Sequence, residues 1–361
     1  MRVVVKIGTS SVTDDAGTVD DAAIAKLSDE VAKVRTDGHE VLVVSSGAVA
    51  AGVAALGLEA RPADASRVQA LAAAGQPRLM RSWDRALGAH GLVPAQVLLV
   101  PHDFVDRRQY LHARRILTRL LELGTVPIIN ENDAIAGDDI RYGDNDRLAA
   151  LTAHNVGAGV VVLLTDLDGL YTADPRQHPT ATPIRHVRAD DPLLAIRAGR
   201  GGSGRGSGGM ASKLEAARIA SWSGVRTVIA DAGRPGVLAD AVAGEAVGTT
   251  FDAHRRKLGA RKLWIAFAAR VAGRVAVDDG ARRALVERGR SLLPAGVVDV
   301  SGRFAVGDAV DVTSAAGEVF ARGMAAIDAA ALKQAAGHRT MDLPAAVAHV
   351  VVHRDDLVIL H

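Results

Sequence analysis

Short aliphatic runs alternate with helix-period segments through the first two-thirds of this chain, and that alternation leaves few folds open. VVVKI at 3–7, VLVV at 41–44, VPII at 126–129, VVVLL at 160–164 and TVIA at 227–230 each read as a strand buried on both faces. Between the first two lies a segment with Ile24, Leu27, Val31 and Val34 at spacings of three and four. Asp20 is placed to cap its start and Gly38 to stop it, which predicts a helix over 21–37. A second helix is predicted over 107–123, ending at Gly124. Buried strands separated by helices predict βαβ units and an α/β fold, with a mostly parallel central sheet sandwiched by helices.

Each of these runs ends in polar residues. Lys6-Ile7-Gly8-Thr9-Ser10, Ser45-Ser46-Gly47, Asn130-Glu131-Asn132-Asp133 and Thr165-Asp166 all fall where a strand gives way to a loop. In open parallel sheets ligands bind at the carboxyl ends of the strands, so four such clusters predict a ligand crevice. Lys6 is conspicuous because it sits inside a buried-type strand. An ammonium there needs a negative partner, or it must snorkel to solvent along its methylene stem.

A glycine-rich segment, GRGGSGRGSGGMASK at 199–213, runs into a predicted helix over 210–221. Gly204, Gly206 and Gly209 have the G-x-G-x-x-G spacing, but no strand precedes them. The composition suits a flexible linker as well as a loop whose amides and helix start receive a phosphate, with Lys213 one turn into the helix. Asp166, Asp168 and Asp174 lack the every-second-residue spacing of a calcium loop, and the histidines, His154 and His349 among them, have no metal-ligand spacing. In 142–151, Asp144 and Asn145 are candidates to cap an apolar helix, and Asp146 follows them.

From about residue 251 the texture changes to a basic stretch and then short strands with turns, including a hairpin around Ala315-Ala316-Gly317. The domains predicted are 1–252, a linker over 253–268, and a small mainly-β domain, a barrel, over 269–361. The 361 residues carry 43 basic and 41 acidic side chains for a net charge of +2, with aromatics at 3%. That balance argues against a nucleic-acid-coating protein. With no cysteine there is no disulfide, thiolate metal site or cysteine nucleophile. No run reaches the roughly 18 apolar residues of a membrane span, and a cytoplasmic location is expected.

The stretches VVKIGTSSVT, VLVVSSGAVAAG, VPIINENDAI, YGDNDRLAAL, LLTDLDGLYTADPR and SGGMASKLEAA follow one another as they do in the amino acid kinase family, which the chain resembles. GRSLLPAG, GRFAVGDAVDV and VVHRDDLVIL resemble the PUA domain that some of its members carry. The resemblance implies an amino acid kinase fold and, among the family's activities, phosphorylation of the side-chain carboxylate of L-glutamate to L-glutamyl 5-phosphate, the first step of proline biosynthesis. Acetylglutamate and uridylate kinases are the alternatives. It implies ATP as donor with Mg²⁺ bound to it, and no dedicated protein metal site. Lys6, Thr165, Asp166 and 207–213 (Ser207, Gly208, Gly209, Met210, Ala211, Ser212, Lys213) would then meet the nucleotide. Ser46, Gly47, Asn130, Asp133 and Asn145 would meet glutamate, and Lys6, Lys213, Asp146 and Asp166 would carry catalysis. Feedback inhibition by L-proline and a homo-oligomer, dimer or tetramer, are implied as well. PUA domains also occur in RNA-modifying enzymes, but the near-neutral charge and few aromatics weigh against RNA as a partner.

Overall fold

The structure is a computed structural model, and it describes residues 1–14, 17–104, 106–135, 145–195, 208–255, 257–267, 269, 271–339, 342 and 350–360. The chain divides into two compact units, one of residues 1–194 and 203–257, the other of 195–202 and 258–361.

In the first unit the strands are β1 (Arg2–Ile7), β2 (Glu40–Ser45), β3 (Pro94–Leu99), β4 (Val126–Glu131), β5 (Val160–Thr165), β6 (Leu170–Tyr171), β7 (Pro183–Ile184), β8 (His186–Val187), β9 (Arg226–Asp231) and β10 (Thr249–Phe251). Its helices are α1 (Asp21–Thr36), α2 (Ala48–Ala55), α3 (Ala65–Gly88), α4 (Arg107–Glu122), α5 (Asn145–Val156), α6 (Gly208–Trp222) and α7 (Val237–Ala243). The main sheet has the order β3-β4-β2-β1-β5-β9-β10-β8, parallel except where β10 meets β9. Strands β1, β2, β4, β5 and β9 therefore all end on the same side.

The amphipathic period places α1 as expected. Asp20 caps it by accepting from the Ala22 and Ala23 amides, and Gly38 follows with φ +82°. Helices α1, α3 and α7 pack on one face of the sheet over Val3, Val5 and Ile7 of β1. Side chains alternate along a strand, so Val4 and Lys6 face the other side, where α5 lies against β1. The β4–α5–β5 crossover carries α5 back across β2 and β1, which sets its N-terminus at the strand ends.

Helices α2 and α3 meet at unusually close range. A Cβ on Gly75 would lie 1.9 Å from the Ala48 carbonyl oxygen, and one on Gly52 would lie 2.0 Å from that of Leu71. Only glycine permits this backbone approach. Gly75→Ala is expected to destabilise the protein by about 3 kcal/mol, at the upper end of overpacking costs, as read from chemical denaturation. A loss under a few tenths of a kcal/mol would mean that the two helices separate freely.

The second unit contains α8 (Ala260–Phe267), β11 (Val271–Val277), α9 (Asp279–Val286), β12 (Val297–Gly302), β13 (Ala309–Ser314), β14 (Val319–Ala325), α10 (Ala329–Ala335) and β15 (Val352–Ile359). The expected small β domain is a sheet ordered β12-β11-β13-β14-β15, with the hairpin turning at Gly317, φ +85°. Part of the stretch expected as linker, 253–268, is helix α8, because Leu263, Ile265 and Ala266 form an apolar face that is buried. Arg322 accounts for its end: Nη1 donates to the Ala266 carbonyl while Nε pairs with buried Asp311 at 2.8 Å.

Candidate active site

The negative charge that Lys6 meets is Asp146, in the first turn of α5. Lys6 Nζ lies 2.6 Å from Asp146 Oδ1, and Lys213 Nζ, from α6, lies 3.1 Å from Oδ2. One carboxylate thus bridges two ammonium groups from distant parts of the chain. All three side chains are buried: Asp146 is 0%, Lys6 5% and Lys213 8% exposed. Burial opposes ionisation of Asp146, but Lys6 and Lys213 together outweigh it and hold its carboxyl below the ordinary range. Its place at a helix N-terminus favours the anion further.

Helix α6 positions Lys213 by lying along α5, where Glu215 is 3.5 Å from Arg147. Ser212 Oγ is within 2.9 Å of both Asp146 Oδ2 and the Gly209 carbonyl, so its hydroxyl ties the start of α6 to the same carboxylate. Gly208, Gly209, Met210 and Ala211 form the first turn of this helix. Ser207, together with Asp144 and His349, lies outside the described residues.

Thr165 ends β5, next to β1 in the sheet, and Asp166 follows it. Among the described residues Asp166 pairs with no lysine; it accepts from Arg176 Nη2 at 2.5 Å and from Thr165 Oγ1 at 3.0 Å. The hydrogen bond from Arg176 is the main reason its carboxyl lies below the ordinary range. Asp168 takes Arg185 at 3.3 Å and the Tyr171 hydroxyl at 2.5 Å. His154 packs against Tyr110, and burial lowers its pKa to about 4, so it stays neutral at physiological pH.

One residue before Asp146, Asn145 begins a second group. Its Nδ2 donates to Ser46 Oγ at 2.8 Å and to Asn130 Oδ1 at 2.9 Å. Ser46 is anchored by its own amide, which donates to the Ile7 carbonyl, and Gly47 turns the chain into α2 with φ +109°. A side chain at Gly47 would also press on Val12, 3.0 Å from the Cβ position. Asp133 stands in the turn after β4, half-buried. Sequence reasoning overlooked Gln76 and Trp83 of α3, which support this group: Gln76 Oε1 accepts from Asn130 Nδ2 at 2.9 Å, and Trp83 Nε1 donates to Ser45 Oγ at 3.1 Å. The available signal was a polar residue inside a buried stripe of Leu71, Ala72, Gly75, Gln76, Leu79, Trp83 and Leu87.

Two cations are held by one anion at the carboxyl ends of parallel strands, beside amide and hydroxyl donors, and the chain that carries them belongs to the amino acid kinase family. Residues 1–231 match the amino acid kinase family and residues 273–346 the PUA domain. Curated relatives 42–47% identical over nearly the whole chain are named glutamate 5-kinase. That of Anaeromyxobacter dehalogenans is 47% identical over 366 residues, covering 99% of this chain and 96% of the relative. That of Pelobacter propionicus is 42% identical over 363 residues, covering 99% and 97%. Among solved structures, an isopentenyl phosphate kinase of T. acidophilum in a product complex aligns with a TM-score of 0.51 at 21% identity, over 70% of this chain and 100% of that one. This last likeness concerns the fold. Among the described residues, no helix is long and apolar enough to cross a membrane.

Proposed function

We propose that this kinase transfers the γ-phosphoryl group of ATP to the side-chain carboxylate of L-glutamate, giving L-glutamyl 5-phosphate and ADP. The observation that carries the reading is the Lys6–Asp146–Lys213 bridge adjoining the Asn145–Ser46–Asn130 group, supported by relatives named glutamate 5-kinase. A carboxylate oxygen forms the new bond to phosphorus as the bond to the ADP oxygen breaks. The acceptor has a reference pKa of about 4.3, so it is ionised near neutral pH and needs no general base.

Each lysine ammonium has three donors; Lys6 spends one on Asp146, and Lys213 one on Asp146 and one on the Gly209 carbonyl at 3.5 Å, so donors remain to face phosphate oxygens. In a water-poor site such fixed charges stabilise the transition state without reorganising. Mg²⁺ fits as a passenger on the nucleotide, because Asp146 is already committed to two lysines and Asp166 to Arg176. When bound it would neutralise the β- and γ-phosphate oxygens. Thr165, Asp166 and the first turn of α6 would hold the nucleotide. Asp133 and the Asn145 Oδ1 would meet the substrate ammonium, and the Ser46 hydroxyl would donate to a carboxylate.

Incubation with Mg-ATP and hydroxylamine is expected to trap a hydroxamate with glutamate but not with aspartate, acetylglutamate or carbamate, and UMP is expected not to stimulate ADP release. A product formed only with another acceptor would replace glutamate in the reading. The family relation extends the proposal to proline inhibition and self-association. Saturating proline that leaves the rate untouched would remove the former, and a monomer in analytical ultracentrifugation the latter.

A further inference from the structure

Gln76 supplies a relay that the acceptor site depends on, although it stands on α3, a helix that contributes none of the site residues expected from the sequence. The relay can be oriented from its backbone anchor. The Glu131 amide can only donate, and it donates to Asn130 Oδ1 at 2.9 Å. Asn130 must therefore point its Nδ2 the other way, where it meets Gln76 Oε1 at 2.9 Å. Asn130 Oδ1 also receives Asn145 Nδ2, which donates in turn to Ser46 Oγ. With a lone pair of Ser46 taken by Asn145, its hydroxyl proton is left to be donated, while Asn145 is left with Oδ1 as an acceptor. The group so oriented offers a donor for a carboxylate and an acceptor for an ammonium.

Gln76 maintains this at a cost. It is 6% exposed, and its Nε2 has no hydrogen-bond partner among the described residues. A buried amide donor left bare is unfavourable, and an aliphatic side chain would complete the α3 stripe without it. The glutamine is thus accounted for by the acceptor that it gives to Asn130, itself 4% exposed. Gly75, the residue before Gln76, is where α3 packs directly on the α2 backbone.

We propose that Gln76 is a positioning residue for the phosphoryl acceptor: it locks the Asn130 carboxamide and, through it, the polarity of Asn145 and Ser46. This rests on the reading of glutamate as acceptor. Gln76→Met keeps the volume but removes the acceptor, whereas Gln76→Glu keeps an acceptor oxygen in either protonation state. In steady-state kinetics Gln76→Met is expected to raise the KM for glutamate about tenfold, equivalent to about 1.4 kcal/mol, with the KM for ATP within about twofold. Gln76→Glu is expected to recover most of that loss. An unchanged KM for glutamate, or equal rises in both KM values, would overturn the proposal in favour of a packing role. A crystal structure of Gln76→Met supplies the arm that does not depend on substrate: Asn130 should rotate and the Asn145–Ser46 bond should open. An intact bond overturns the relay. A wild-type enzyme inactive on glutamate would overturn the choice of acceptor, and the crystal structure would still decide the relay.

Discussion

Replacing Asp146 with asparagine is expected to lower kcat by about 10³-fold, because the fixed charge that aims both lysines is lost. Asparagine can offer one carbonyl oxygen where the carboxylate offers two. Lys6 and Lys213, both nearly buried, would then face each other with their shared counter-charge gone. Removing one member of a buried ion pair typically costs about 3–5 kcal/mol, so the variant should also unfold at lower denaturant concentration. The pH dependence separates the two effects. The folded pKa of Asp146 is depressed below 3.8 by the two ammonium groups against the opposition of burial. Its stabilising contribution is complete above that value and disappears as pH falls through the depressed one. The wild-type protein should therefore lose its advantage over the asparagine variant on acidification. A constant difference in stability from neutral to strongly acid pH would contradict the assignment of that charge.

Lys213→Ala is expected to act on a different quantity. Lys6 still neutralises Asp146 in this variant, so the fold should survive with a modest loss of stability. What disappears is one of two cations proposed to face the transferring group, with an expected fall in kcat of about 10²–10³-fold. The KM for glutamate should move little, because the Ser46, Asn130 and Asn145 group has no bond to Lys213. Rapid-quench measurement of a single turnover would read the chemical step itself. An unchanged single-turnover rate would remove Lys213 from the transition state and leave it a partner of Asp146 alone.

Five strands of the sheet were legible because each is built on a short aliphatic run, broken only by Lys6 in β1 and by Pro127 in β4, and α1 because its period and caps agree. Lys6 was legible as an anomaly, but local pattern did not name its partner; Asp146 entered beside it only through the family resemblance. Asp146 lies 140 positions further on, and only the crossover of α5 over β1 brings them together. By local rules Asp146 belongs to a helix start, as does Asn145. Asp166, which the resemblance groups with Lys6, Lys213 and Asp146, is taken instead by Arg176, ten residues on. Helix α3 went unread because Gly75 and Pro77 both disfavour a helix interior. Its stability comes instead from close contact with α2, which no local pattern announces. The basic run around 254–264 hid α8 in the same way, since three buried apolar side chains outweigh its charged neighbours once a sheet is there to receive them.

Asn145 and Asp146 are consecutive residues. A single peptide unit joins the group proposed to hold glutamate to the carboxylate that sets the two lysines. A displacement of Asn145 therefore shifts Asp146, and the charge cluster has no slack in which to absorb it at 2.6 and 3.1 Å. The first turn of α5 thus couples the two halves of the proposed site, and a small molecule docked against Asn145 in the wrong pose is expected to disturb the lysine cluster without touching it.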